Sequence, residues 1–313
     1  MTYSISQRDA FWNRVYDLAK ADQDIIIVSA DLGAPSLDKF RQDLSSQFVS
    51  VGIAESNAIL ISSGLSLAGK KVFVYGIAPF ITLRCLEQIR VETGLMKIPI
   101  TIVGVGAGFG YEESGPTHHL IEDIAVMRAF PNITIHSITD NVMAEYVAKQ
   151  LCSKSLKANY VRLDRKTFPD IYKKGTAFSK GFSVIREGKD CYILATGCMV
   201  HTALDLAKRF EKNRISIGVV DIFTLPINEK LLAPIVKKMK KIVTLEEHLR
   251  AGGFGSAIGE FINDNEINVE FKRLGLPIEK GYCYKYGGRE AIREYYGLDI
   301  KNLIKKIKGY MTR

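Results

Sequence analysis

Ile98-Pro-Ile-Thr-Ile-Val-Gly-Val105-Gly-Ala-Gly-Phe-Gly110-Tyr-Glu-Glu-Ser-Gly115-Pro-Thr-His-His-Leu-Ile-Glu122-Asp123 joins two patterns that decide the fold. Residues 98–105 form a near-continuous apolar run, which reads as a strand buried on both faces. Glycines, a proline and carboxylates then break the pattern, so Gly110 to Asp123 reads as a surface loop carrying His118 and His119. Loops at the carboxyl ends of parallel strands are where α/β folds place their chemistry. For isolated histidines the plainer reading is a turn leading into a helix, so a site needs support from a second element.

Outward from this stretch, the chain alternates between strand and helix. Upstream lie a helix from Ser6 to Lys20, a strand over Ile25–Ser29 ending in the loop Ala30–Gly33, and a strand over Phe48–Val51. A helix from Ala54 to Leu67, a strand over Lys71–Tyr75, the loop Gly76–Phe80 and a helix from Thr82 to Leu95 follow. Downstream, Ile121–Phe130 and Asp140–Leu151 read as helices, and Ile133–His136 and Tyr160–Asp164 as strands. Such alternation implies a parallel sheet with helices on both faces, because parallel neighbours need crossover connections.

Residues 165–182 have no periodicity and read as a linker. A second alternation follows, with strands Cys191–Ala195, Ile215–Ile222, Lys241–Leu245 and Val269–Leu274. Between them lie helices His201–Phe210, Asn228–Met239 and Gly253–Ile262, and a terminal helix pair closes the chain. The expected architecture is α/β, with two doubly wound domains at residues 1–170 and 181–313, the second smaller. The length of 313 residues suits two domains of about 150 each.

Composition narrows the function. With 47% hydrophobic and 25% charged residues, the chain reads as a soluble globular protein. No apolar run approaches the ~18 residues of a membrane span, and the first residues lack a signal peptide's apolar core, so a cytoplasmic location is expected. The five cysteines are scattered without zinc or redox spacing, and reduced, buried thiols are expected. The net charge of +9 comes from the C-terminal part, since residues 1–175 hold 19 basic and 18 acidic side chains against 24 and 16 beyond them. Much of the excess lies in Lys237–Lys241 and Lys301–Lys308, where lysines form the solvated face of helical patterns without a recognition motif. Nucleic-acid binding is not expected.

The second element is Gly52-Ile-Ala-Glu55, which puts a carboxylate at the first turn of a helix after a strand. The helix dipole alone accounts for such a charge. Together with Gly115-Pro-Thr-His118, however, it makes residues 8–290 resemble the C-terminal half of transketolases, which move two-carbon ketol units between sugars with thiamine diphosphate. The resemblance implies that Glu55 hydrogen-bonds the cofactor's aminopyrimidine ring and promotes the tautomer that removes the thiazolium proton. It implies that Phe80 stacks on that ring, with Ile53 beside Glu55 in the cofactor pocket, and that His118 contacts the donor and stabilises the carbanion intermediate. Arg165, and with a looser match Arg8, resemble arginines that bind the sugar phosphate, a role suited to fixed guanidiniums. Val243–His248 and Gly252–Ser256 resemble the family's small C-terminal domain, which is chiefly architectural, so His248 is assigned no catalytic role.

Two departures qualify the match. The family's acidic residue beside Gly-Pro-Thr-His is Ser114 here, and a phosphate-contacting histidine aligns with Gly106, so altered substrate contacts and a non-standard sugar are expected. The family's diphosphate-binding domain, with its Gly-Asp-Gly and asparagine ligands for Mg²⁺, is not found, and no oxygen-ligand cluster replaces it. The expectation is one subunit of a split transketolase, partnered by a chain that binds the diphosphate and Mg²⁺, in an α₂β₂ assembly. Two alternatives stay open at this point. One is a deoxyxylulose-phosphate-synthase-like or 2-oxo-acid-decarboxylating subunit, against which the Gly-Pro-Thr-His-His loop argues. The other is a non-catalytic structural or regulatory subunit.

Overall fold

The computed structural model describes residues 5–30, 33–153 and 156–312, so Asp31 and Leu32 of the expected loop Ala30–Gly33 lie outside the described residues. Helix α1 (Gln7–Ala19) is capped by Ser6, whose side chain accepts from the Asp9 N–H. Strand β1 (Ile25–Ser29) is buried along its whole length. It is followed by α2 (Pro35–Asp43), β2 (Phe48–Ser50), α3 (Glu55–Leu67) and β3 (Lys71–Ile77). A broken helical segment comes next, made of α4 (Ala78–Thr82), a 3₁₀ turn Leu83–Cys85, α5 (Leu86–Ile89) and a π turn Arg90–Leu95. It leads to β4 (Thr101–Val105), α6 (Asp123–Met127), β5 (Ile133–Ser137), α7 (Asn141–Leu151) and β6 (Ala158–Leu163).

The second half contributes β7 (Phe182–Arg186), β8 (Cys191–Ala195), α8 (Met199–Glu211), β9 (Ile217–Ile222) and the two-residue β10 (Thr224–Leu225). After these come α9 (Glu229–Val236), β11 (Lys241–Leu249), α10 (Phe254–Asp264), β12 (Glu270–Leu276), α11 (Gly288–Tyr296) and α12 (Ile300–Met311).

The first sheet has seven strands in the order β10-β5-β6-β4-β3-β1-β2, parallel apart from β10, which pairs antiparallel with β5. Its inner strands are sealed on both faces, which is why they are runs of Ile and Val rather than alternating patterns. On one face α1 and α2 bury Phe11, Trp12, Tyr16 and Phe40 against Phe73 and Tyr75, with rings meeting edge to face. On the other face, α3 and the segment from Ile81 to Ile89 cover Val72, Val74 and Ile102.

The second sheet has the order β12-β11-β8-β9-β7 and is parallel except for β7 against β9. Helix α8 buries Met199, Ala203, Leu206 and Phe210 in one apolar cluster with Ile193 and Val219 of this sheet, and Leu303 and Ile307 of α12 join the same cluster. No helix among the described residues is long and apolar enough to cross a membrane. The five cysteines are free and buried.

Four sequence expectations need correction. The helix expected over Thr82–Leu95 is broken into 3₁₀, α and π turns, where Thr82 and Thr93 hydroxyls donate to carbonyls four residues back and compete with the helical ladder. The helix expected over Ile121–Phe130 shrinks to α6, because Leu120 is held in a bridge to Gly108. The loop Gly110–Asp123 is only partly on the surface: Tyr111 and His119 to Ile121 are buried, and exposure is confined to residues 112–118. Finally, α2, β7 and β10 lie in stretches read without secondary structure.

Candidate active site

Four connections leave the carboxyl edge of the first sheet side by side: those after β2, β3, β4 and β6. The first turns at Gly52, whose φ of +70° favours glycine, and enters α3 at Glu55. Glu55 is 6% exposed, while the neighbouring Ile53 is 78% exposed, so a buried carboxylate sits at the foot of an open apolar ledge. Arg84 on the 3₁₀ turn donates from Nη1 to Glu55 Oε2 at 2.6 Å, and its guanidinium lies over the Phe80 ring, 4.3 Å from the centroid. Phe80 meets His118 edge to face at 5.0 Å. A hydrogen bond of 3.0 Å joins Thr117 Oγ1 and His118 Nδ1, leaving Nε2 available to a ligand.

Tyr111 carries the contacts onward. Its ring lies 6.1 Å from His118 and beneath the Arg165 guanidinium at 4.8 Å. Arg165 also pairs with Glu113, and Lys166 with Glu112, fastening the exposed part of the loop to the end of β6. Arg8 bonds Asp9 at 3.1 Å. Burial opposes the Arg8 charge, yet the Asp9 bond and the nearby Tyr75 and Tyr111 hold its pKa above the ordinary value. Glu55, Phe80, His118, Arg165 and Arg8 therefore fall along one connected surface. Ser114 is exposed at the loop tip, and only its backbone N–H, donated to the Tyr111 carbonyl at 3.0 Å, ties it in.

Sequence reading missed Arg84 and Tyr111. Arg84 stands four residues after Phe80, a spacing that brings side chains together on helical backbone and could have flagged it. Tyr111 explains Gly106. A Cβ on Gly106, where φ is +92°, would lie 2.2 Å from the Tyr111 ring, so the tyrosine fills the volume a side chain there would need.

The second domain braces this surface from behind. Arg289 bridges Asp164 at 2.7 Å and Glu247 at 2.5 Å, and Glu247 also accepts from the Phe109 N–H at 2.9 Å. Residues on either side of the site, at the start of the loop and just before Arg165, are thus held by one buried ion-pair network. Burial disfavours the Glu247 charge, but Arg289 and Arg293 outweigh it and hold the carboxyl well below the usual carboxylate range. His119 points away from His118 onto Phe109, and burial lowers its pKa. His248 is buried between Asp123 and Glu246, a packing position.

A cleft of about 450 Å³ lies elsewhere, between Phe130–Ile133, Leu225–Ile227 and Phe261, and contains none of these side chains. Among the described residues, no group of three or more His, Cys, Asp or Glu side chains could hold a metal ion. What the surface offers is a carboxylate beside an aromatic face, then an imidazole, then guanidiniums. That series suits a flat nitrogen heterocycle at one end and a polar, anionic chain at the other.

Comparison with known proteins gives a consistent result. Family models match residues 4–170 (transketolase, pyrimidine binding domain) and 181–303 (transketolase, C-terminal domain). The chain is 33% identical to one of the subunits of the apulose-4-phosphate transketolase of Phocaeicola vulgatus, over 99% of this chain and 98% of that one. It is 30% identical to the 1-deoxy-D-xylulose-5-phosphate synthase of Syntrophus aciditrophicus, over 98% of this chain but 47% of the longer protein. A solved structure described as a split gene transketolase in an inactive beta4 tetramer superposes with a TM-score of 0.85, at 29% identity and 98% coverage of both chains.

Proposed function

Because the chain belongs to the transketolase family and carries its pyrimidine-binding and C-terminal domains, we propose that it is the second subunit of a split, thiamine-diphosphate-dependent transketolase. The observation that carries this reading is the contact series Glu55, Phe80, His118 on one carboxyl edge. Residues 1–170 form the pyrimidine-binding domain and residues 181–313 the C-terminal domain.

When bound, thiamine diphosphate supplies a carbon nucleophile for breaking and remaking the ketol bond. The residues of this chain do the rest. Glu55 Oε2 takes the hydrogen bond of the cofactor's aminopyrimidine and passes a proton to and from it. Phe80 and Ile53 give that ring an apolar seat and keep water from it. His118, fixed through Nδ1 by Thr117, presents Nε2 to the hydroxyls of the donor. Arg165 and Arg8 hold its anionic end, with the exposed Ser114 at the rim. The described residues offer no Mg²⁺ ligand set, so the metal and the diphosphate are held by a partner subunit, and two copies of each chain make an α₂β₂ enzyme.

The substrates are a ketose donor, phosphorylated or otherwise anionic, and an aldose acceptor. With Tyr111 over Gly106 and a hydroxyl at Ser114, the pattern of polar contacts differs from that for ordinary pentose phosphates, which favours a less common sugar. The test is to mix the chain with a diphosphate-binding partner and assay ketol transfer from a panel of phosphorylated ketoses. Transfer that needs both chains and is lost in His118→Ala supports the reading; no transfer from any ketose, or transfer indifferent to His118, refutes it.

A further inference from the structure

The Glu55 carboxylate has a partner that transketolase chemistry does not require. Arg84 reaches it from the 3₁₀ turn, donating at 2.6 Å, and spreads its guanidinium 4.3 Å above Phe80. A guanidinium is flat, rich in N–H donors and able to stack on an aromatic face. An aminopyrimidine ring has the same features, and under the function proposed above it would bind the same carboxylate and the same ring. Both cannot occupy Glu55 Oε2 and the face of Phe80 at once. We propose that Arg84 is a resident cap on the cofactor seat: its side chain fills the aminopyrimidine position in the free chain and has to leave before thiamine diphosphate can bind.

Physical chemistry gives the cap its purpose. Glu55 has a side chain only 7% exposed, and a buried carboxylate without a partner is costly. Arg84 satisfies it until the cofactor arrives. The Arg84 side chain is 46% exposed, so its outer part can swing into water without disturbing the core. Displacing the cap reduces the apparent affinity for cofactor, because only the uncapped fraction of molecules can bind. Arg84 is in this sense a positioning residue for Glu55 and a competitor of the ring, with no role in the chemical step.

The proposal rests on the transketolase reading and makes a prediction opposite in sign to that of a structural residue. Thiamine diphosphate, with Mg²⁺ present, is titrated calorimetrically into the two-subunit assembly bearing wild-type chain, Arg84→Met or Arg84→Gln. Removing the guanidinium should tighten binding by about two- to tenfold, the combined worth of an exposed ion pair and a cation–π contact. Added salt should narrow the gap, since it screens the pair in the wild type. Unchanged or weaker binding in both variants overturns the cap and makes Arg84 inert or a cofactor ligand. A wild-type assembly that binds no thiamine diphosphate removes the transketolase reading, and the cap with it. The glutamine variant, which keeps a flat donor without the charge, carries the test if the methionine variant folds poorly.

Discussion

Glu55 stands at the first turn of α3, almost wholly buried, on the same side as an exposed isoleucine and a half-buried phenylalanine. Replacing it with glutamine keeps the shape and removes the group that exchanges a proton. Turnover of the assembled enzyme should fall by about 10²- to 10⁴-fold, the usual worth of a positioned acid-base group. Cofactor affinity should change far less, and thiazolium C2 hydrogen-deuterium exchange reads the effect directly. An unchanged exchange rate in Glu55→Gln would remove the residue from the mechanism. Glu55, Phe80 and His118 were legible from motif spacing, because each sits in a loop whose glycines and prolines mark it. Tyr111 was not, because its role depends on Gly106 folding back beneath it, a contact that no local pattern encodes.

At the scale of elements, the loop 106–120 is held by what its glycines allow. Gly106→Ala would force a Cβ into the Tyr111 ring at positive φ, at a cost of roughly 1–3 kcal/mol. Denaturant titration of Gly106→Ala, Tyr111→Ala and the double variant should show coupling, with part of the Gly106→Ala cost relieved once the ring is gone. Strict additivity would mean that the two residues are independent. On α3, Leu60 and Leu67 point outward at 47% and 69% exposure, two turns apart on the helix that carries Glu55. Leu60→Glu should leave the melting temperature of the isolated chain nearly unchanged and block assembly with the partner, which sedimentation can follow; normal assembly would move the interface elsewhere. Long strands such as β1 and β4 were readable from apolar runs, whereas β10 has two residues and owes its existence to the edge of β5. Helix α2 did carry a local signal in Pro35 at its start and Leu37 and Phe40 on one face, but it is short and mostly polar.

For the molecule as a whole, stability depends on a polar seam between the two sheets. Asp221 on β9 accepts from Thr139 at 2.7 Å and Tyr172 at 2.9 Å, yet burial pushes its carboxyl up to about 8, and burial likewise raises Glu246 to about 8. A raised carboxyl pKa means that the folded chain keeps a proton the unfolded chain has lost, so this contribution falls as pH rises from about 4 to about 8. Glu247 acts in the opposite sense: its lowered pKa gives stability that is present above about 4.3 and lost in acid. Asp221→Asn, which retains an acceptor for Thr139, should therefore gain on the wild type in calorimetric melting between pH 5 and pH 8.5; a gap independent of pH would contradict the assignment. The same braced framework leaves Ile53, Leu60 and Leu67 exposed, and the isolated chain should accordingly self-associate or aggregate rather than remain a clean monomer. The central claim is that this chain holds only part of the cofactor site, and the most direct measurement is titration of thiamine diphosphate and Mg²⁺ into the chain alone and into its mixture with a diphosphate-binding partner, with light scattering on both. The account predicts weak binding alone and tight binding in an α₂β₂ complex; a monomer that binds cofactor at micromolar strength and transfers ketol units unaided would contradict it.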